Sequence, residues 1–366
     1  MRILVAMSGG VDSSTVAALL KEAGHEVIGA TLQLYDHGAA TGRRGACCAG
    51  QDILDARAVA DALGIPHYVL DREEAFHREV IAPFAAAYAE GRTPIPCVAC
   101  NRTVKFRDLV VLARDLGCEA LATGHYVRRR EGPAGPELHR AADPRRDQSY
   151  FLFATTREQL AFSRFPLGEF PHKEAVREVA ARFALPVARK PDSQDICFVP
   201  AGRYHEVVAR ERPEAAEAGE VVTLDGRVVG HHAGIARFTV GQGKGLGPAS
   251  VVDGQRMYVA RIEAGARRVV VGPRAAAAAA EVRVEEVNWL ADPPAGPFRV
   301  QAKFRAREAA QPVTALWEGG VLCLFPDVPA VVAPGQAAVL YEGERVLGGG
   351  VIAAAHAGID RARPAA

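Results

Sequence analysis

The chain has 366 residues, 49% of them hydrophobic and 24% charged, and a formal net charge of +1. That length supports a large core and two or three domains, and the composition excludes a disordered or fibrous chain. No apolar run is long enough to span a membrane, and Ile3–Met7, with only Arg2 before it and glycines just after, is not a secretory leader. A cytoplasmic protein is expected. The near-zero charge disfavours one broad basic face and leaves room for local patches. Seven cysteines in such a chain point to reactive or metal-bound thiols, not a disulfide framework.

The first element is an apolar run at residues 2–7, which reads as a buried strand. Ser8-Gly9-Gly10-Val11-Asp12-Ser13-Ser14 follows, and then a helical pattern that ends at Gly24. A strand, a glycine turn and a helix offer free backbone N–H groups to a phosphate, and the serines add hydroxyl donors. The Gly-Lys-Ser/Thr ending of the common P-loop is absent. The plainer reading is a tight turn capped by Ser13 or Ser14. Further strands are expected at Glu26–Leu32, Pro66–Leu70 and Ala120–Thr123, with helices at Gln51–Leu63, Arg72–Glu90 and Arg102–Leu116. This alternation predicts an α/β domain with a doubly wound parallel sheet. The Ser8 loop, Thr123-Gly124-His125 and the loop after Leu32 would then share the ligand-binding rim.

More helix is expected from Gln148 to Phe183, and the character changes near Arg203–Arg212. Short β-type runs at Val221–Leu224, Arg227–Gly230, Phe238–Val240, Met257–Arg261 and Arg268–Val271 predict a small β-rich central domain. The alanine run Ala275–Ala280 reads as a linker, with a helical turn as the alternative. Six closely spaced runs follow, at Glu281–Val287, Phe298–Arg305, Val313–Trp317, Val321–Phe325, Ala337–Tyr341 and Arg345–Ile352, and predict a C-terminal β-barrel. The expected domains are 1–205, 206–274 and 281–356, with a frayed tail at 357–366.

Cys97 and Cys100 lie in Thr93-Pro94-Ile95-Pro96-Cys97-Val98-Ala99-Cys100-Asn101. Two prolines are expected to keep this stretch out of a helix, and Asn101 to cap a helix beginning at Arg102. A thiol just before such a cap would have a lowered pKa. The pair could be half a zinc site, completed by Cys47-Cys48, or a redox pair, or two thiols with separate jobs. Cys197 stands between Ile196 and Phe198, which alone suggests packing. Its polar neighbours Ser193, Gln194 and Asp195, and its place where the α/β half gives way to β structure, argue for chemistry.

The Ser8–Ser13 motif resembles the pyrophosphate loop of the ATP-pyrophosphatase superfamily, whose members split ATP between the α- and β-phosphates and adenylate a substrate. Thr93–Asn101, Ala122–Tyr126, Asp147–Leu152, Asp192–Phe198, Thr239–Gln242, Lys244–Gly247, Pro334–Gln336 and Leu347–Gly350 extend the match. Taken in this order, they make the whole chain resemble the bacterial tRNA-specific 2-thiouridylases, which place sulfur on C2 of the wobble uridine. The resemblance implies Cys100 as a nucleophile and Cys197 as the carrier of a persulfide. It implies ATP contacts at Ala6, Met7, Ser8, Gly9, Gly10, Val11, Asp12, Ser13, Leu32 and Gly124. It implies tRNA contacts at His125, Arg146, Asp147, Gln148, Arg305, Ala306 and Gln336, with Ile95, Pro96 and Cys97 around the target base. ATP with Mg2+, persulfide sulfur, tRNA and a sulfur donor (a cysteine desulfurase or a relay protein) are the implied co-substrates and partners. No resident metal is implied. Members often carry Asn-Pro-Asp where this chain has Ile95-Pro96-Cys97, and a thiol does not copy a carboxylate at neutral pH. Arg146, Gly243 and Ala306 stand in place of a usual Lys, Arg and Tyr.

The C2 oxygen of uridine is a very poor leaving group, and adenylation turns it into the leaving group of AMP. Asp12 beside phosphates then needs a magnesium ion, or a role in orienting the loop. The basic runs Arg128-Arg129-Arg130 and Arg145-Arg146 suit RNA phosphates or a solvated loop equally. Three alternatives stay open: a thiolase with an iron–sulfur cluster on Cys97, Cys100 and Cys197, a non-catalytic nucleotide-dependent RNA-binding module, and an amidating synthetase.

Overall fold

The computed structural model describes residues 1–35, 48–192, 196–199 and 202–356. Cys47, Ser193, Gln194, Asp195 and the tail at 357–366, each given an expectation above, lie outside the described residues. The chain divides into two compact units. One holds Met1–Val80, Cys97–Gly202 and Glu344–Val346; the other holds Ile81–Pro96, Arg203–Gly343 and the chain from Leu347.

The first unit is built on a five-stranded sheet. Its strands are β1 (Arg2–Ala6), β2 (Glu26–Gln33), β3 (His67–Asp71), β4 (Ala120–Ala122) and the short Ser163–Arg164, in the order β3-β2-β1-β4 and then Ser163–Arg164. All neighbours are parallel. Ile3, Leu4 and Val5 are buried at its centre, as expected of a strand covered on both faces. Helix α1 (Val11–Glu22) returns from β1 and packs Val16, Ala17 and Ala18 into the core. Val59 and Ala60 of helix Cys48–Leu63, with Val176 and Ala180 of Lys173–Arg182, complete that core. Gly24 ends α1 as expected: its φ is +80°, and the His25 N–H reaches back to the Leu20 carbonyl at 3.1 Å. The strand order reverses between β1 and β4, so their carboxyl ends open a crevice.

Three expectations for the chain between Arg72 and Lys105 need correction. Arg72–Glu90 is not one uniform helix but three successive stretches, Glu73–Phe76, a π-helical His77–Ile81, and Ala82–Ala89. The chain is already helical at Pro96–Cys100, so the prolines do not exclude Cys97 and Cys100 from a helix. Pro96 sits at the first helical position, where its missing N–H costs nothing. Asn101 is therefore no cap. It lies within the next turn, Asn101–Lys105, and its side-chain N–H donates to the Phe151 carbonyl at 3.2 Å.

The second unit contains two β assemblies. In the four-stranded sheet, Tyr258–Glu263, Arg268–Gly272, Gly219–Thr223 and Val228–His232 lie side by side in that order. Phe238–Val240 is not a strand. It follows the 3-10 turn Ile235–Arg237 and buries Phe238 and Val240 without ladder pairing. Ala275–Ala280 holds the helical turn given as the alternative reading of that run. A 3-10 turn at Arg274–Ala277 leads into a two-residue strand, Ala278–Ala279, and Ala277 and Ala279 are buried. The six later runs form a six-stranded barrel, which closes where Glu281–Trp289 pairs with the strand Arg345–His356. Val282, Val284, Ala302, Phe304, Leu322 and Leu340 fill it.

Candidate active site

The Ser8 loop leaves the carboxyl end of β1. Gly9 has φ +70°, and a Cβ there would fall 2.1 Å from the Asp52 carbonyl oxygen, so only glycine fits. The N-cap of α1 is Gly10, with no side-chain cap. Capping by Ser13 or Ser14 is therefore overturned, because their hydroxyls bond back to the Gly10 carbonyl at 3.3 and 2.8 Å. Ser13 Oγ instead accepts the Ser8 N–H at 3.1 Å. The first-turn N–H groups of α1 are left for a ligand, with the positive end of the helix behind them. Gly124, beyond β4, approaches so closely that a Cβ would sit 3.0 Å from the Ser13 nitrogen. Gly9→Ala is expected to cost at least about 2 kcal/mol, from its left-handed φ plus the Asp52 collision. Urea denaturation with and without ATP would check this.

A cavity of about 240 Å³ lies at this rim. Of the expected ATP contacts, Ala6, Met7, Ser8, Asp12, Ser13, Leu32 and Gly124 line it; Gly9, Gly10 and Val11 shape the loop without lining it. Phe106, Leu109 and Leu121 add an apolar wall of the kind that accepts a flat base. His125 and Gln148, expected to touch tRNA, line the same cavity.

Asp12 has a partner that sequence reading missed. Both its oxygens accept from the Lys173 ammonium, at 2.6 and 2.7 Å, and the Tyr126 hydroxyl donates to it at 2.6 Å. Lys173 is almost wholly buried and also bridges to Asp192 at 2.9 Å. Burial would raise the Asp192 carboxyl, but Lys173, Arg146 and Arg177 together hold it below the ordinary carboxylate value. Lys190 does similar work on the other side of the loop. Its ammonium donates to the Gly9 carbonyl at 2.9 Å and to Asp52 at 2.7 Å, and also bonds Asp55. The aspartate beside the anion site is thus balanced by an internal cation, which favours its loop-orienting role.

The three cysteines lie in the same unit as the cavity. Cys100 is buried, while Cys97 and Cys197 reach solvent. The expected lowering of the Cys100 pKa does not occur. Burial pushes the Cys97 and Cys100 thiols up, and Cys197 is pushed up to about 11. Burial outweighs the nearby positive charge, and Cys100, inside a continuing helix, does not have the place before a first turn on which the expected lowering rested. The positive charge of Lys105 opposes this shift at all three thiols. Tyr35 donates its hydroxyl to the Cys197 carbonyl at 2.5 Å, and Phe198 packs edge-on against Phe76 at 5.6 Å, which fixes the Cys197 turn. Iodoacetamide alkylation of Cys197 is expected to rise about tenfold per pH unit, with no plateau below about pH 10. Peptide mass spectrometry across that range would check it.

The remaining expected tRNA contacts divide between the units. In the first unit, burial and the Lys105 charge push His125 down to about 3, so its ring is neutral; it stacks on Phe106 at 6.0 Å. Asp147 is engaged internally, accepting the Ala141 and Ser149 N–H groups at 3.2 and 3.1 Å. Gln148 accepts the Tyr126 N–H at 2.8 Å, and Arg146 pairs with Asp192 at 2.9 Å. Arg128–Arg130 do not form a loop. They lie in a hairpin, Val127–Gly132 with Gly135–Arg140, where Arg128 is buried against Glu344 and Arg129 pairs with Glu131. The run thus serves internal pairing first. In the second unit, Arg305 donates to the Val240 carbonyl at 3.1 Å, beside half-buried Ala306. Gln336 donates to the Thr93 carbonyl at 2.8 Å, just before Ile95 and Pro96.

Among the described residues no group of three His, Cys, Asp or Glu is placed to hold a metal ion. No helix among them is long and apolar enough to cross a membrane.

A parallel sheet that presents an uncapped Ser-Gly-Gly loop at its switch point defines a nucleotide-handling α/β domain, and comparison with known proteins gives the same class. The profile described as "tRNA methyl transferase HUP domain" matches residues 1–201. That of the "tRNA methyl transferase PRC-barrel domain" matches 205–273, and that of the "Aminomethyltransferase beta-barrel domain" matches 279–352. The "tRNA-specific 2-thiouridylase MnmA" of Acidiphilium cryptum (strain JF-5) is 65% identical over 352 residues, covering 96% of this chain and 100% of that protein. The protein of the same name from Gluconobacter oxydans (strain 621H) is 59% identical over 363 residues, covering 98% and 100%. The chain belongs to the tRNA-specific 2-thiouridylase family, and is an enzyme of the sulfurtransferase class.

Proposed function

We propose that this enzyme thiolates C2 of the wobble uridine of tRNA at the expense of ATP. The Ser8–Ser13 loop and Gly124 hold ATP, with Leu32 and its apolar neighbours against the base. The uridine C2 oxygen attacks the α-phosphorus, pyrophosphate leaves, and the oxygen becomes the bridge to AMP. A persulfide on Cys197 then supplies sulfur. In one route its terminal sulfur attacks C2 and expels AMP, and the Cys100 thiolate attacks the Cys197 Sγ. The S–S pair of electrons stays with the sulfur on C2. In the other route Cys100 attacks the persulfide first and releases sulfide, which attacks C2. Both routes end in a Cys100–Cys197 disulfide, which a two-electron reductant resets.

The observation that carries this reading is Lys105. It lines the nucleotide cavity, and its charge acts on the thiols of Cys97, Cys100 and Cys197. A cation of the cavity is thus within electrostatic reach of the thiols in one unit, which supports a reading in which anion site and thiols work together. Mg2+ would enter with the ATP phosphates, since both Asp12 oxygens are already engaged by Lys173. The target uridine must leave its stack to expose C2, and tRNA contacts at Ile95, Pro96, Cys97, His125, Arg146, Asp147, Gln148, Arg305, Ala306 and Gln336 belong to this proposal. So do the domain limits 1–205, 206–274 and 281–356, the cytoplasmic location, and a desulfurase or relay protein as sulfur donor.

The test is tRNA thiolation in vitro with ATP and a persulfide source, scored by mass spectrometry of the nucleosides. Anaerobically purified protein should be colourless, free of iron and active. Brown protein that loses activity with its iron would move the reading to the cluster-dependent thiolase. ATP binding without pyrophosphate release on adding tRNA would move it to the RNA-binding module.

A further inference from the structure

Asn101–Lys105 is a π-helical turn, in which the Phe106 N–H bonds to the Asn101 carbonyl five residues back. This changes where Lys105 points. In an α-helix of 3.6 residues per turn, side chains five apart diverge by roughly 140°. A turn closed five residues back brings them toward one face, and such widened turns concentrate at functional sites. Lys105 is thereby carried round toward the side of the helix that bears Cys100.

Its ammonium differs from the other two lysines near the loop. Lys173 is held by Asp12 and Asp192, and Lys190 by Asp52 and Asp55. Lys105 lines the cavity beside Asp12, Ser13 and His125, and its electrostatic partners are thiols rather than carboxylates. Asp12 is already engaged, and His125 is neutral with its Nδ1 2.9 Å from the Thr123 hydroxyl. The cavity therefore contains a cation with no fixed carboxylate partner among the described residues, next to an anion-binding loop. Lys105 is half-buried, and withdrawing such a charge from water is costly unless an anion arrives to meet it.

We propose that Lys105 is the shared cation of the reaction: it holds a phosphate oxygen of the bound nucleotide, and when that phosphate departs it releases its charge to the thiolates of Cys100 and Cys197. This rests on the function proposed above and adds a device for ordering its steps. While the nucleotide phosphates occupy Lys105, the thiols lose their main counter-charge and their thiolate fraction, already small, falls further, which slows early attack. Departure of pyrophosphate restores that counter-charge, while AMP still holds the C2 oxygen and before sulfur is transferred. Among the described residues, the one cation that bears on the thiols is Lys105, and Tyr35 beside Cys197 stays neutral because burial pushes its hydroxyl up, so the effect should depend on this one side chain.

The test reads the thiols directly. Iodoacetamide alkylation rates at Cys100 and Cys197 are followed against pH for the wild type, Lys105→Met and Lys105→Arg, with and without α,β-methylene-ATP. In the wild type the analogue should move both alkylation profiles up by about one pH unit. Without nucleotide, Lys105→Met should already show the raised profile, and the analogue should move it no further. Lys105→Arg should behave as the wild type, and analogue affinity should fall about tenfold in the Met variant alone. Lys105→Gln is a second neutral variant in case methionine disturbs the fold. Wild-type profiles in both neutral variants, with unchanged analogue affinity, would overturn the proposal. A wild-type protein whose thiols respond to the analogue but which never thiolates tRNA would support the shared cation and overturn the function instead.

Discussion

Cys197→Ser is expected to reduce tRNA thiolation to below about one-thousandth of wild type, as loss of a covalent group typically does. It should leave ATP binding intact, because the cavity lining does not include Cys197. Pyrophosphate should still be released in an amount close to the enzyme, since adenylation precedes sulfur transfer. Cys100→Ser should reach the same low rate for a different reason, and that difference separates the two chemical routes. If the terminal persulfide sulfur attacks C2 directly, this variant cannot break the resulting Cys197–S–S–C2 linkage. Protein covalently bound to tRNA should then accumulate, and dithiothreitol should release it. If Cys100 must first liberate sulfide, no such adduct forms. Serine is the right probe because it nearly keeps the volume and removes only the sulfur, and Cys100 is buried, where a smaller side chain would leave a cavity. Cys97→Ser tests the remaining thiol. Retained activity there with loss at the other two confirms the pair, whereas full activity in either Cys100→Ser or Cys197→Ser would sink the assignment.

What could be read from the sequence was what is local. The Ser8 loop is continuous in the chain, so a strand, two glycines and a helix identify it without tertiary knowledge, and Gly9 at φ +70° bears this out. The parallel sheet and the barrel were legible because their periodicities repeat. The misreadings came from non-local partners. Lys173 lies 161 residues from Asp12, and nothing in its own neighbourhood marks it as the counter-ion of the loop. Arg128 looks solvated until Glu344 arrives from the far end of the chain. Pro96 looked like a helix breaker because two prolines stand close together, yet the second falls where a helix tolerates one. That one-turn error moved Cys100 from before a helix to inside it, and its burial there, which no local pattern shows, sends its pKa up instead of down. Lys105 was missed because its importance depends on a π-turn, which no apolar pattern announces.

Lys173→Met is expected to cost on the order of 3 kcal/mol of stability at pH 7, because it leaves Asp12 and Asp192 facing each other without the cation between them. Lys173 is only 3% exposed, so water cannot replace it. The loss should depend on pH in a defined direction. In the wild type, the depressed Asp192 carboxyl contributes stability above the ordinary carboxylate range near pH 4, and that contribution is lost as pH falls through its lower folded value. Without Lys173 burial is less opposed, the carboxyl binds its proton more readily, and acid relieves the variant while it weakens the wild type. The stability gap measured by urea denaturation should therefore narrow as pH falls from about 5 to about 3. Asp192→Asn placed on Lys173→Met should recover part of the loss, since it removes one uncompensated charge. Nucleotide binding should fall as well, because Asp12 orients the loop only while Lys173 and Tyr126 hold it. Equal stability of wild type and Lys173→Met at pH 7, or a gap that widens in acid, would show that this lysine is not what balances the aspartate beside the phosphates.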